Sequence, residues 1–357
     1  MKRPYLFLGC LYLNAQALAL QMSGAGPLLD RRHVLGGLGA LAGVGALSPA
    51  AVLAEKGDDV LSNERIFDTR VHSYLPPVPQ RLIRQGWAHE VVCVGEQHSH
   101  GLHHRMQYNI AKALNDLTRT DDADGRVRPL AIGLEMFYRS HQGALDRYVF
   151  GHGNLALLKA ETNWDDTWGY DFASYSKIFR YSRLYGIRMI GLNAPAPLLS
   201  LVGKVGLSNL PPELKRLIPE VDTTQEAHRA RFTGIMEAMA ASHGKGGTIS
   251  EERMQRMYEC QCLWDDFMSD SAAKYLSKLR SPGRLLVLAG INHVEGRDGI
   301  PDRLEKRTGM CIKPFTVVPQ SVDWTPEGLP DIVEPPSQDF ADWVYYTTPE
   351  MQRVGTA

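Results

Sequence analysis

The sequence predicts an α/β protein: a mostly parallel sheet flanked by helices, with a small all-helical insert subdomain. Three observations lead there. Four apolar runs, Val91–Val94, Leu130–Leu134, Ile187–Leu192 and Leu285–Gly290, each stop at a glycine-flanked polar residue. Short continuous runs of this kind suit strands buried on both faces of a parallel sheet. The first run passes through a polar turn into Leu102, Met106, Ile110, Ala113, Leu114 and Leu117, which follow helical spacing and complete a strand-loop-helix unit. Finally, residues from about 198 to 281, between the third and fourth runs, show helical patterning and no convincing strand.

Taken in order, the chain opens with a leader. Lys2 and Arg3 precede an apolar stretch from Tyr5 to Leu20, with Ala17-Leu18-Ala19 as a small-residue cleavage site. A second signal follows: Arg31-Arg32, a Gly/Ala-rich core from Val34 to Leu47, and Val52-Leu53-Ala54. A signal peptide followed by a twin-arginine signal points to plastid routing ending in the chloroplast thylakoid lumen; secretion or periplasmic export is the alternative. Residues 1–54 are therefore set apart from the fold, and the domain is placed at 61–320.

Leu61 to Ile83 reads as a lead-in, since Pro76, Pro77 and Pro79 prevent a helix there. Further helices are expected over Phe137–Phe150, Leu155–Glu161 and Asp171–Leu184, the last capped by Asp171. The insert ends in a helix over Ser250–Leu279 with Ser250 as its cap. The sheet resumes at Leu285, and Ile312–Val318 is a final short strand. Residues 321–357, rich in proline and acid, read as a tail that is disordered or orders on contact.

The composition narrows the function. A formal net charge of −1 gives no reason to expect nucleic acid or an anionic membrane surface. The five cysteines are too scattered for a disulfide framework, and Cys260 and Cys262, two apart on a helix, do not share a face. After the leader, no run approaches the length of a membrane span, so the mature chain is not expected to be an integral membrane protein.

Ligands of open α/β sheets bind outside the carboxyl ends of the strands. If the four strands are parallel neighbours, Glu96, His98, Glu135, Asn193 and His293 converge there. Glu96, His98, Glu135 and His293 are of the type that holds a divalent metal, zinc or manganese, in a hydrolase. The same groups could do metal-free acid/base work, with Asn193 orienting substrate or stabilising an oxyanion. Asp265 is a weaker member, because its helix must pack over the strand ends. Of the histidines in the loop, His98 is expected to point inward and His100, His103 and His104 to face solvent.

Several short pieces, in order, carry a resemblance. They are Gly95-Glu96-x-His98, Leu134-Glu135-Met136-Phe137, Trp168-x-Tyr170-Asp171-Phe172-x-x-Tyr175 and Gly191-Leu192-Asn193-Ala194-Pro195. Then follow Gln261-x-x-Trp264-Asp265-x-x-Met268, Gly290-x-x-His293-Val294 and Gly299-Ile300-Pro301. The set, across roughly residues 65–320, resembles the ChaN-like haem-binding family of the haem-uptake/Tiki superfamily. That resemblance implies a parallel sheet with a small helical domain, and haem as ligand and partner. It also favours a tyrosinate ligand to the iron; a homodimer is among the arrangements expected, and whether two chains share one haem stays open at this point. Haem ligation uses His, Met, Cys or Tyr side chains, and the region from 148 to 181 offers Tyr148, His152, Tyr170 and Tyr175 as candidates. No short motif chooses among them. The chain departs from the family in lacking a convincing lipobox and in its acidic tail.

Overall fold

The computed structural model describes residues 65–75, 89–120, 129–242, 249–279, 283–327, 330–332, 334, 336–337 and 339–349. The leader, with both export signals, lies outside them.

The elements in chain order are β1 (Arg65–Asp68), β2 (Ser73–Leu75), β3 (Val91–Glu96), α1 (Gly101–Thr120) and β4 (Leu130–Tyr138). Next come α2 (Gln142–Phe150), α3 (Leu155–Glu161), α4 (Phe172–Tyr185), β5 (Arg188–Asn193) and α5 (Ala196–Val205). The remainder is α6 (Glu226–Ser242), α7 (Glu251–Ser277), β6 (Arg284–Gly290), α8 (Ile300–Arg307), β7 (Phe315–Ser321) and β8 (Trp343–Thr347). Eight strands form one sheet in the order β2-β1-β8-β7-β3-β6-β4-β5. Every pair from β8 to β5 is parallel, and β1 pairs antiparallel with both β2 and β8. The expected fold class is the one found.

Alternation along the central strands builds two cores. Val92, Val94, Ile132, Leu134, Leu286 and Leu288 face α1 and α2–α4, where Met106, Tyr108, Leu145, Tyr148, Tyr175 and Phe179 pack. Their neighbours Val91, Cys93, Ala131, Leu285, Val287 and Ala289 point the other way, onto Met268 and Ala272 of α7 and Ile300 and Leu304 of α8. Period-two side chains make both faces of a parallel sheet apolar, which is why these runs carry no polar alternation. Leu198, Leu199, Val202, Leu210 and Leu214 close a third core with Leu263 and Phe267 of α7. One helix, α7, therefore joins the insert to the sheet.

The outer edge of β5 is covered by side chains. Gln142 Nε2 donates to the Met189 carbonyl (2.9 Å), its Oε1 accepts from Gly191 N (3.2 Å), and Ser271 Oγ donates to the Leu192 carbonyl (2.8 Å). These bonds satisfy backbone groups that would otherwise invite another strand.

Three elements differ from expectation. Residues after Leu134 continue as strand to Tyr138 and turn once through Arg139–His141, so the helix starts at Gln142. A register shift against β5 accompanies this, and Gly191 lies so close that a Cβ there would overlap the Tyr138 carbonyl. The strand expected over 312–318 spans Phe315–Ser321 and is not the last. The proline- and acid-rich segment carries β8, whose Trp-Val-Tyr-Tyr-Thr sequence suits a strand and fills the gap between β7 and β1. The lead-in supplies β1 and β2. β2 pairs back on β1, but β1's other partner, β8, is some 280 residues away in sequence, so local pattern gives no hint of how they join the sheet.

Candidate functional site

The strand order explains how the site assembles. β6 lies between β3 and β4, so Gly290 at its end stands between Glu96 and Glu135. Its N–H donates to Glu135 Oε2 (2.5 Å). A Cβ at this glycine would stand 2.9 Å from His98 Cε1 and 3.5 Å from Glu135 Oε2. The missing side chain is what lets the imidazole settle against the strand end. A single turn, Ile291–His293, then brings His293 back over the rim.

Each imidazole is tied to a carboxylate. His98 Nδ1 lies 2.8 Å from Glu96 Oε1, which also accepts the Tyr175 hydroxyl (2.7 Å). His293 stands between two acids: Nδ1 is 2.6 Å from Asp265 Oδ1, and Nε2 is 3.3 Å from Glu135 Oε1. Asp265 Oδ2 in turn faces His228 Nε2 at 3.4 Å and accepts from Gln261 Nε2 at 3.3 Å. The sequence of groups Glu96, His98, Glu135, His293, Asp265, His228 thus alternates acid and imidazole across the sheet end. Arg231 of α6 holds the insert in place through Asp298 and Glu295, on the loop that follows His293.

These contacts set the charges. Burial alone would lower the His293 pKa, but Glu135 and Asp265 outweigh it and hold the ring as an imidazolium. Burial alone would raise Glu135; the charge and hydrogen bond of His293, then His98 and the Gly290 N–H, bring it down to about 2. Burial also opposes protonation of His98, and the Glu96 hydrogen bond with the Glu135 charge overcomes it. Attraction between partners exceeds desolvation here because each charge meets its counterpart at hydrogen-bond distance. Such a set can donate a proton from His98 or His293 and accept one at a carboxylate.

The structure brings Glu96, His98, Glu135 and His293 together as expected. Among the described residues, no group of three or more His, Cys, Asp or Glu side chains is disposed to hold a metal ion. The four expected ligands are instead turned toward one another in pairs. Asn193 also reaches the rim, but its amide serves the backbone: Nδ2 donates to the Glu135 carbonyl (3.0 Å) and Oδ1 accepts from Ala194 N (2.7 Å). It braces the end of β4. His100, His103 and His104 are buried, contrary to the expectation of solvent. His100 and His103 meet the ends of β7 and β8 through Ser321 and Thr347, while His104 turns to the His98 carbonyl and the Tyr175 ring. Asp265 is central, and neither His228 nor Tyr258 behind it was expected at this rim. A histidine alone on a helix carries no signal of an acid 37 residues later.

The four haem candidates fall in different surroundings. Tyr148 is buried in the core under Arg183, with burial pushing its phenol up to about 12. Tyr175 is buried and committed to Glu96. His152 is exposed, on the turn between Gly151 and the buried Gly153. Tyr170 is 41% exposed. Gly169, at φ +78°, turns the chain to present it, and the Trp164 indole N–H fixes its carbonyl at 2.7 Å. Asp171 then caps α4 through Ala173 N and Ser174 N. The Tyr170 ring packs against His98 (4.8 Å between centroids) and Trp168 (5.5 Å). The phenol therefore stands at an aromatic mouth directly in front of the acid–imidazole groups.

The family described as haem-binding uptake, Tiki superfamily, ChaN matches residues 82–304 of the chain. Among solved structures, that of cofacial heme binding to ChaN of Campylobacter jejuni is 18% identical, with a TM-score of 0.57. The likeness covers 79% of this chain and 96% of that one. The type III effector HopBA1 is 12% identical over 76% of this chain and 93% of its own, with a TM-score of 0.43. No curated protein matches the chain.

Proposed function

The chain belongs to the ChaN haem-binding-uptake family of the Tiki superfamily, and from that premise we propose that it binds haem, with Tyr170 as the ligand to iron. The observation that carries this assignment is the exposed phenol of Tyr170 at an aromatic mouth, where the other candidate tyrosines are buried. The donor set fits the group. Haem, when bound, would supply a ferric iron, and the Tyr170 phenolate is the group that would hold it. This chain supplies the phenol and the ring of Trp168 beside it, backed by Trp164, on which the half-buried Phe172 packs. Haem or iron handling after export, in the thylakoid lumen, is the setting we infer from the leader. A second copy closing over the mouth is the oligomer we infer from the family.

A hemin titration of the purified protein tests the assignment. A saturable Soret shift with a phenolate charge-transfer band is expected, and Tyr170→Phe should abolish that band while Tyr148→Phe leaves it. An unchanged hemin spectrum with the native protein would overturn haem binding. Sedimentation with and without hemin tests the dimer, and sequencing of the mature N-terminus tests the export reading.

A second reading is favoured by one specific feature, the His293 imidazolium held between Glu135 and Asp265. Such a group can give a proton to the leaving oxygen or nitrogen of an ester or amide, while a neighbouring carboxylate accepts one from water. Hydrolysis of a chromogenic ester, lost in His293→Gln, would support it. Metal analysis of the same sample separates this from a zinc- or manganese-dependent reaction.

A further inference from the structure

A second histidine cluster lies behind the rim and takes no part in the acid–imidazole series. His103 Nδ1 accepts the Gln97 N–H at 3.0 Å, so its ring proton is on Nε2, which faces Thr347 Oγ1 at 3.4 Å. The His100 ring stacks on that of His103, with centroids 3.9 Å apart and planes within 7°. His100 Nε2 meets Ser321 Oγ at 3.0 Å, and Ser321 Oγ meets Thr347 Oγ1 at 3.3 Å. Two imidazoles and two hydroxyls thus join the Glu96–His98 loop to the last residues of β7 and β8. Both strands lie beyond the residues that the family matches. His103 and Thr347 are fully buried.

We propose that this cluster is an acid-sensitive latch: a proton entering His103 at Nδ1 breaks the Gln97 bond and frees the Glu96–His98 loop and β8 together. The argument is one of lone pairs. Nε2 of His103 already carries its hydrogen, and the single lone pair of Nδ1 is spent on Gln97. A second proton can enter His103 only at Nδ1, where it displaces the Gln97 N–H. Protonating His100 instead places a buried cation flat against a neutral ring, 3.9 Å from its centre. The titratable groups that face His103 are His100 and His104, both imidazoles, and Glu96 stands behind His104 (Oε2 to Nδ1, 3.7 Å). The facing groups of β7 and β8, Ser321 and Thr347, are hydroxyls without charge. Burial first, then the two neighbouring imidazoles, hold His103 down at about 3. The closed latch therefore excludes the proton, and an opened one takes it up near the ordinary histidine value of about 6.5. The inference goes beyond the haem reading and does not depend on it.

Hydrogen exchange of the haem-free full chain, between pH 7.5 and 5 and corrected for intrinsic rates, tests it. Below pH 6.5 the opening of peptides covering Gln97–His104 and Trp343–Thr347 should rise together, approaching tenfold per pH unit for one proton. Peptides of α7 should stay protected, which separates latch opening from global unfolding. His103→Asn puts an amide oxygen where Nδ1 stands and cannot take a proton, so both segments should lose their pH dependence. If that variant does not fold, Thr347→Val serves, and it should let β8 open without the loop. Unchanged protection of the native chain down to pH 5 would overturn the latch. So would opening of the two segments at unrelated pH values, or an equally steep response in His103→Asn.

Discussion

Replacing Tyr175 by Phe should cost about 2 kcal/mol of folding stability and leave the core packed. The hydroxyl donates to Glu96 Oε1 at 2.7 Å, and that carboxylate is 1% exposed. A hydrogen bond to a buried charged acceptor is worth about 1.5–3 kcal/mol, because water cannot replace it. The ring itself keeps its contacts with Trp164 (5.4 Å) and Phe179 (6.3 Å), so no cavity term adds to the loss. Burial, with the Glu96 charge, pushes the Tyr175 phenol far above its ordinary value, so the hydroxyl remains a donor through the neutral and alkaline range. For a domain of this size the loss corresponds to about 4–8 °C in Tm. Urea unfolding at pH 7.5, with Tyr170→Phe alongside, is the assay. Tyr170→Phe should fall within about 0.5 kcal/mol of the native protein, since its ring is at the surface. A loss below about 0.5 kcal/mol for Tyr175→Phe would refute the idea that Glu96 relies on this donor.

Other outcomes follow from the same geometry. Gly290→Ala places a methyl 2.9 Å from His98 Cε1, and should displace His98 from Glu96 and broaden or shift its imidazole resonance in NMR. Gly191→Ala overlaps the backbone carbonyl of Tyr138; a loss of about 3 kcal/mol or failure to fold is expected in denaturant unfolding. Asp265→Asn removes the closer of the two acids at His293 and should lower its pKa by one unit or more in an NMR titration. His141 Nδ1 accepts the Tyr138 N–H (3.2 Å), and burial brings its pKa from 6.5 down to about 4. The native state then binds fewer protons than the unfolded one, so stability falls as pH drops from 6.5 toward 4. The loss is about 2 kcal/mol, discounted for partial exposure, and His141→Asn should remove that part of the pH dependence of urea midpoints.

Much of the site was legible because strand ends announce themselves. Glu96, His98, Glu135 and His293 each follow a run that can only be a buried strand, and the sheet topology brought all four to one rim. Their partners were less legible. Tyr175 and His228 reach their acids from helices packed over the sheet, and the sequence separations, 79 and 37 residues, encode nothing about distance. The buried positions of His100, His103 and His104 were hidden for a related reason. A histidine-rich loop reads as polar until two hydroxyls arrive from strands more than 200 residues away. Tyr148 and Tyr170 are also alike in sequence, and only packing distinguishes a core phenol from one at the surface.

The sequence by itself determined the class of fold and two of its helix caps, Asp171 and Ser250. It determined the positions of the strand-end acids and imidazoles too, because hydrophobic period and turn chemistry act over a few neighbouring residues. The tertiary structure alone decided the order of the strands, with β6 between β3 and β4, and the seating of β8 against β1. It also decided the pairing of each imidazole with its carboxylate and the exposure of a single candidate tyrosine at the mouth. Those depend on which surfaces meet after the chain has closed long loops, and on the desolvation that the meeting imposes, neither of which a local pattern contains.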